Sequence, residues 1–169
     1  MTKVLYKEPQ CKLNIIGIDP GLLGACAFLY EDQTIRVFDT PILIEKKRGK
    51  LQREYQIQKM AEIIEKNNEG KTIAAIENVH AFKDQGVHSV FHFGKGFGIW
   101  LGILSALKIP YQLITPQSWK KQFGLLGTEK DAARLYAQKL FSQVDLSLKK
   151  YSGRADALLI AEYLRETYV

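Results

Sequence analysis

Three carboxylates stand where acids are costly. Asp19 closes the apolar run 13–19 (LNIIGID), Glu77 follows the apolar run 72–76 (TIAAI), and Asp156 lies in the apolar opening turns of GRADALLIAEYL. An isolated charge buried in such surroundings is strongly destabilising. Three acids at the edges of apolar elements therefore point to a shared counter-ion. Donor sets made only of oxygen suit a hard cation such as Mg²⁺. Two such ions about 3.5–4 Å apart can activate a water and stabilise the leaving oxygen in phosphodiester cleavage. Each acid taken singly has a plainer explanation. Asp19 can turn the chain with Pro20-Gly21, Glu77 can end a strand in solvent, and Asp156 can serve a helix N-terminus. A single arrangement that accounts for all three favours the metal reading.

The elements that must position these acids are legible from periodicity. Residues 13–19, 24–30 (GACAFLY) and 34–38 (TIRVF) read as three strands joined by short links, hence an antiparallel meander. The basic segment 44–53, with Lys46, Lys47, Arg48, Lys50 and Arg53, leads into a helix expected over 52–67. Its apolar stripe is Leu51, Tyr55, Met60, Ile63 and Ile64, and Gly70 is placed to stop it. A buried strand over 72–76, a long helix over 90–107 and a strand over 111–114 follow. Pro116 suits the first turn of a helix to about 123, with Thr115 as its cap. Thr128 and Asp131 resemble a capping box for a helix over 129–141, and Ser152 can cap a last helix over 153–167. The result is an α/β domain with a five-stranded mixed sheet, three strands antiparallel and two parallel, flanked by helices. One domain is expected over 1–169, its core from about 13 to 168, since the chain has 169 residues and domains run to roughly 100–200.

Composition narrows the partner. The chain carries 24 Lys and Arg against 18 Asp and Glu, a net charge of +6. Residues 1–77 hold 12 basic and 11 acidic side chains, whereas residues 78–169 hold 12 and 7. An uneven basic excess points to a polyanion, nucleic acid being the commonest. Two cysteines, Cys11 and Cys26, make no disulfide framework and suit a reducing compartment. The longest uncharged stretch near the middle, 96–107, falls short of the roughly 20 residues that span a bilayer. The N-terminus is too polar for a signal peptide and unlike a transit peptide, so a cytoplasmic protein of prokaryotic or phage origin is expected.

The ordered set IIGIDPGLLGACAF, IAAIENV, PQSWKK and GRADALLIAEYL resembles a RuvC-type Holliday junction resolvase of the ribonuclease H-like superfamily. GKGFGIWLGIL, WKKQFGL, TEKDAARLYAQKLF and SGRADALLIAEY are most similar to the plant organellar branch and its bacterial and phage relatives. The resemblance implies a ribonuclease H-like fold and a homodimer that cuts four-way DNA junctions by paired symmetric nicks in recombination and repair. It implies 5′-phosphate and 3′-hydroxyl ends and Mg²⁺, with Mn²⁺ as a substitute, at two ions per site. It implies Asp19, Glu77 and Asp156 as metal ligands, with Lys120 and Lys130 near the scissile phosphate. A lysine there can stabilise developing charge or anchor the phosphate. Many bacterial relatives carry an Asp or His three residues before the last acid; here that position is Gly153, preceded by Ser152. The second ion would then be held more loosely or through water. Glu162 lies on the same expected helix, without being singled out as the replacement.

The loop 78–93 (NVHAFKDQGVHSVFHF) is rich in aromatic and imidazole groups. Aromatic rings stack on unstacked bases for about 1–3 kcal/mol each. The family places an aromatic residue shortly after the second acid, and His80 and Phe82 are the nearest candidates, with Lys83 as a phosphate contact. Phe91 and Phe93, opening a helix, are expected in the core. Lys46, Lys47 and Arg48 are expected along a duplex arm, with Lys121 and Arg154 as further DNA contacts. His88 and His92 stand four apart but have no third ligand nearby, and GKGFG follows no strand, so neither a zinc site nor a phosphate loop is read there. The alternatives are a junction-binding protein that does not cut, a nuclease acting on RNA or RNA–DNA hybrid, and, from the GIDPG string, a nucleotide-binding ATPase. The last normally closes two domains over its nucleotide.

Overall fold

The computed structural model describes residues 13–47, 49–78 and 86–168. The element order is β1 (Asn14–Asp19), β2 (Ala25–Leu29), β3 (Ile35–Asp39), β4 (Ile42–Lys47), β5 (Lys50–Tyr55), α1 (Ile57–Asn67), β6 (Thr72–Glu77), α2 (Val87–Ala106), β7 (Tyr111–Ile114), α3 (Pro116–Gln122), α4 (Ala132–Leu140), a 3₁₀ turn (Lys149–Tyr151) and α5 (Ser152–Tyr168). Five strands form one sheet in the order β3-β2-β1-β6-β7. β1–β2 and β2–β3 pair antiparallel, while β1–β6 and β6–β7 pair parallel. This is the expected mixed sheet.

The central strands are buried on both faces, which is why β1 and β2 read as continuous apolar runs rather than alternating ones. Strand periodicity divides β1 between two cores. Ile15 faces a core with Trp119, Leu158 and Ala161, supplied by α3 and α5. Ile16 and Ile18 face the other, with Met60 and Ile64 of α1 and Trp100 and Leu104 of α2. Helix α5 lies close against β1 because Gly17 has no side chain. A Cβ there would stand 2.1 Å from the Ala157 carbonyl oxygen and 2.5 Å from the Ala161 nitrogen.

The main departure from the sequence reading lies at 42–55. The expected basic loop and first turn of a helix form a separate two-stranded ribbon, β4–β5, and α1 starts only at Ile57. Gly49 turns the ribbon at φ +76°. Leu51 and Tyr55 belong to a period of two, not to a helical stripe. Three helix ends also differ. α1 gives way to extended backbone at Asn68, and Gly70, at φ +64°, serves the turn into β6. Thr128 donates to the Leu125 carbonyl, while Asp131 accepts from Arg134, so no capping box forms and α4 begins at Ala132. The 3₁₀ turn runs straight into α5, which makes Ser152 its first helical residue rather than a cap. Thr115 does cap α3, accepting from the Ser118 N–H at 3.2 Å. Cys26 is a free buried thiol, its pKa pushed up by desolvation; Cys11 lies outside the described residues.

Candidate active site

Parallel pairing of β1 with β6 sets Ile18 opposite Ile76, so the next residues, Asp19 and Glu77, leave the same end of adjacent strands. Period-two alternation gives both the parity of Ile15 and Ala75, the face covered by α5. The carboxyl ends of such strands are the usual place for a ligand in an open α/β sheet. Asp156 arrives from the first turns of α5, next to Ala157, the residue seated on Gly17. One tertiary approach thus brings the third acid to the other two.

The electrostatics show how strongly the acids feel one another. Burial raises the Asp19 carboxyl to about 7, and the Glu77 charge adds to the effect. Asp156 rises to about 8, through desolvation and then through Asp19 and Glu77. Desolvation raises Glu77 as well, opposed by a hydrogen bond from Trp119 and by Lys120. Lys120 is the one cation that lowers all three, and it does not offset the burial. Among the described residues no three acid, imidazole or thiol side chains are already drawn around one point as a closed cage. The fit to a cation therefore rests on an under-neutralised, partly dehydrated cluster of oxygen donors. That is the chemistry of a hard divalent ion rather than of zinc.

Helix α3 serves the site twice. The Trp119 indole, fully buried, donates to Glu77 Oε1 at 2.9 Å and fixes that carboxylate. Lys120 stands over the Trp119 ring, its Nζ 5.2 Å from the centroid. Lys120, Lys130, Glu129, Ser152 and Asp156 share one cleft of about 280 Å³. The two lysines expected near a phosphate are therefore brought to the third acid. Trp119 was not foreseen as a functional side chain, although a tryptophan behind a capped Pro116 in PQSWKK is a signal that could have exposed it.

Gly153 proves to be a packing residue. A Cβ there would stand 2.1 Å from the Leu23 carbonyl oxygen and 2.8 Å from Gly24 Cα. The β1–β2 turn occupies the space a further ligand would need. Glu162 does not replace it: it is 5% exposed and ion-paired to Arg165 at 2.6 Å.

A second cavity, of about 470 Å³, is lined by Asp19 and shares Ser152 with the first cleft. The β1–β2 turn, the root of β5 and the first turns of α2 enclose it. Tyr55, 7% exposed, donates to the His92 carbonyl at 3.1 Å and lies 3.5 Å from the Pro20 carbonyl, tying the turn after Asp19 to α2. Phe93 lines this cavity, and Phe91, expected in the core, is 66% exposed. The other expected DNA contacts divide. Lys46 lies exposed on β4 and Lys121 exposed on α3, while Lys47 falls within β4. Arg154 is committed to Asp39, at 2.6 and 2.7 Å, and stacks on Tyr151. Arg48, His80, Phe82 and Lys83 lie outside the described residues. No helix among the described residues is long and apolar enough to cross a membrane.

No family model matches the chain. A stretch of 69 residues, 39% of the chain, is 42% identical to the chloroplastic Holliday junction resolvase MOC1 of Chlamydomonas reinhardtii; it spans 8% of that protein's length. In structure, the chain is similar to Thermus thermophilus RuvC in complex with a Holliday junction substrate. The TM-score is 0.58 at 13% identity, over 91% of this chain and 96% of the other. A second Thermus thermophilus RuvC structure gives 0.58 at 15% identity, over 92% and 96%. The likeness read from the motifs is thus met by the fold, and the chain carries the RuvC form of the ribonuclease H-like architecture, with a segment similar in sequence to a Holliday junction resolvase.

Proposed function

We propose that this chain is a divalent-metal-dependent endonuclease that resolves four-way DNA junctions by paired symmetric nicks, as in homologous recombination and repair. One observation carries the reading: three acids from β1, β6 and α5 meet with Lys120 at one sheet end of a RuvC-like fold. Asp19, Glu77 and Asp156 would hold Mg²⁺ or Mn²⁺, two ions per site. Such ions lower the pKa of an attacking water and neutralise the leaving oxygen. Trp119 keeps the Glu77 carboxylate oriented. Lys120 and Lys130 face the phosphate from the Asp156 side and stabilise its charge in the transition state. Cleavage leaves 5′-phosphate and 3′-hydroxyl ends. Lys46 and Lys47 on the ribbon, Arg48 next to them in the sequence, and Lys121 follow a duplex arm. His80, Phe82 and Lys83, after the second acid, meet the crossover. The whole chain acts as one nuclease domain.

A homodimer supplies the two sites that paired nicks require. Support comes from α2, where Gly94, Gly98 and Gly102 recur every fourth residue with open space where each Cβ would stand. Val87 and Phe91, 85% and 66% exposed, continue the same face. A second copy of that helix can approach closely there.

The test is a nicking assay on a mobile synthetic junction with Mg²⁺, Mn²⁺ or EDTA, beside linear duplex, RNA–DNA hybrid and Asp19→Asn. Symmetric, metal-dependent nicks confined to the junction and lost in the variant are expected. Junctions bound but left uncut by the parent would refute the nuclease.

A further inference from the structure

The glycines of GKGFG in α2 do not all serve one face. Gly94 and Gly98 leave open space where a Cβ would stand, whereas Gly96, on the opposite side of the helix, is buried. A Cβ there would collide with the Tyr55 hydroxyl and stand 2.5 Å from the Pro20 carbonyl oxygen. Glycine thus leaves a notch in α2, and the tip of Tyr55 fills it against the residue that follows Asp19. We propose that Tyr55 is a positioning residue for Asp19: its hydroxyl, seated in this notch, holds the Pro20-Gly21 half of the β1–β2 turn so that Asp19 presents its carboxylate to a divalent ion.

The inference rests on the endonuclease reading and adds to it a residue that acts through Asp19. The turn itself is the first argument. It wraps the carboxyl: the Gly21 N–H donates to Asp19 Oδ1 at 3.1 Å, and a Cβ on Gly24 would stand 2.9 Å from Asp19 Cγ. Wherever the turn goes, the carboxylate follows. Its anchoring is the second. The far half is fixed by other elements, since the Thr40 N–H donates to the Gly24 carbonyl at 2.9 Å and the Leu23 carbonyl packs on Gly153. The near half begins with Pro20, which has no N–H to give, and its carbonyl faces the Tyr55 hydroxyl at 3.5 Å. That hydroxyl donates to the His92 carbonyl at 3.1 Å, and rotation about its C–O bond brings the same proton to Pro20. Rigidity is the third. Tyr55 ends β5, where the neighbouring Glu54 is ion-paired at 2.5 Å to Lys95, the residue before the notch. The Tyr55 ring is buried in the core beneath. A side chain fixed at ring and tip is suited to orienting a ligand; a second layer of this kind sets the geometry of metal-binding groups.

Calorimetry with Mn²⁺ on the DNA-free protein tests this. Tyr55→Phe keeps the ring and removes only the hydroxyl, and its Mn²⁺ affinity should fall about tenfold or more. Junction affinity in EDTA, by gel shift, should stay within a few-fold of the parent. Lys95→Gln removes a different link between α2 and the ribbon root, and should leave Mn²⁺ affinity unchanged. Amide hydrogen exchange in EDTA gives a readout without metal or cutting. The Gly21 and Gly24 amides should exchange faster in Tyr55→Phe by a larger factor than those of Ile16 and Ile18, which report opening of the whole molecule. Parent-like Mn²⁺ affinity in Tyr55→Phe, an equal loss in Lys95→Gln, or exchange at Gly21 and Gly24 that changes no more than at Ile16 and Ile18 would overturn the proposal. So would a loss of junction affinity with Mn²⁺ affinity intact, which would make Tyr55 a support of the ribbon alone. If the parent itself binds no Mn²⁺, the endonuclease reading fails, and the exchange at Gly21 and Gly24 alone decides whether Tyr55 holds the turn.

Discussion

Replacing Asp156 by asparagine should stabilise the metal-free protein while abolishing its chemistry. The carboxyl has no hydrogen-bond donor among the described residues, and desolvation followed by repulsion from Asp19 and Glu77 moves it from 3.8 to about 8. The folded state thus keeps a proton that the unfolded chain releases above about pH 4. Stability must fall as pH rises through the window from 3.8 to about 8. The whole displacement corresponds to about 6 kcal/mol at most. Water reaches the half-buried carboxyl, and the repulsion is shared with two coupled acids. The part that one neutral, isosteric side chain recovers is therefore smaller, about 2–3 kcal/mol. In a chain of this size that raises Tm by about 5–10 °C. Thermal unfolding in EDTA at pH 8 should show this gain, and at pH 4 the two proteins should melt together. Excess Mg²⁺ should stabilise the parent more than Asp156→Asn, narrowing or reversing the difference. A variant less stable than the parent at pH 8 in EDTA would mean that the acids make favourable contacts there, and the repulsive cluster would be refuted.

Three further outcomes follow from the same geometry. Gly153→Asp should supply no extra ligand; it and Gly153→Ala should each cost about 2–3 kcal/mol in urea unfolding, because the clash begins at Cβ, and Gly153→Asp should not tighten Mg²⁺ binding by calorimetry. Trp119→Phe keeps the buried bulk and removes the donor to Glu77, so metal affinity or nicking rate should fall about 10–100-fold with the fold retained by circular dichroism. Lys120→Met should leave junction affinity within a few-fold by gel shift but slow single-turnover nicking about 10²–10³-fold.

Much of the site was readable because its acids end long apolar runs, a pattern that survives any error in element boundaries. The sheet was readable for the same reason: β1, β2, β6 and β7 are short apolar runs bounded by turn residues. The ribbon was not, because Leu51 and Tyr55 satisfy a helical spacing when the true period is two, and only pairing with β4 decides between them. Trp119 and Gly153 were seen as letters in motifs, but their roles depend on contacts with Glu77 and the Leu23 carbonyl, 42 and 130 residues away in the chain. Phe91 was expected in the core because helical aromatics usually are. It lies on an α2 face that the other described residues leave exposed.

The close seating of α5 on β1 at Gly17 has a dynamic consequence. Asp156 rides on the helix that completes the central core, and Asp19 ends the strand beneath it. Neither can swing away through a local fluctuation, so amide protons near Ile16, Ile18 and Ala157 should exchange only when the whole molecule opens. The ribbon β4–β5 stands outside the sheet and is anchored at its Tyr55 root, so its far end is held less tightly, two strands alone being marginally stable. The molecule thus separates a chemical centre that is rigid up to global unfolding from an appendage soft enough to adjust to the substrate. Heat should end catalysis and structure in a single step, with no earlier loss confined to the acids.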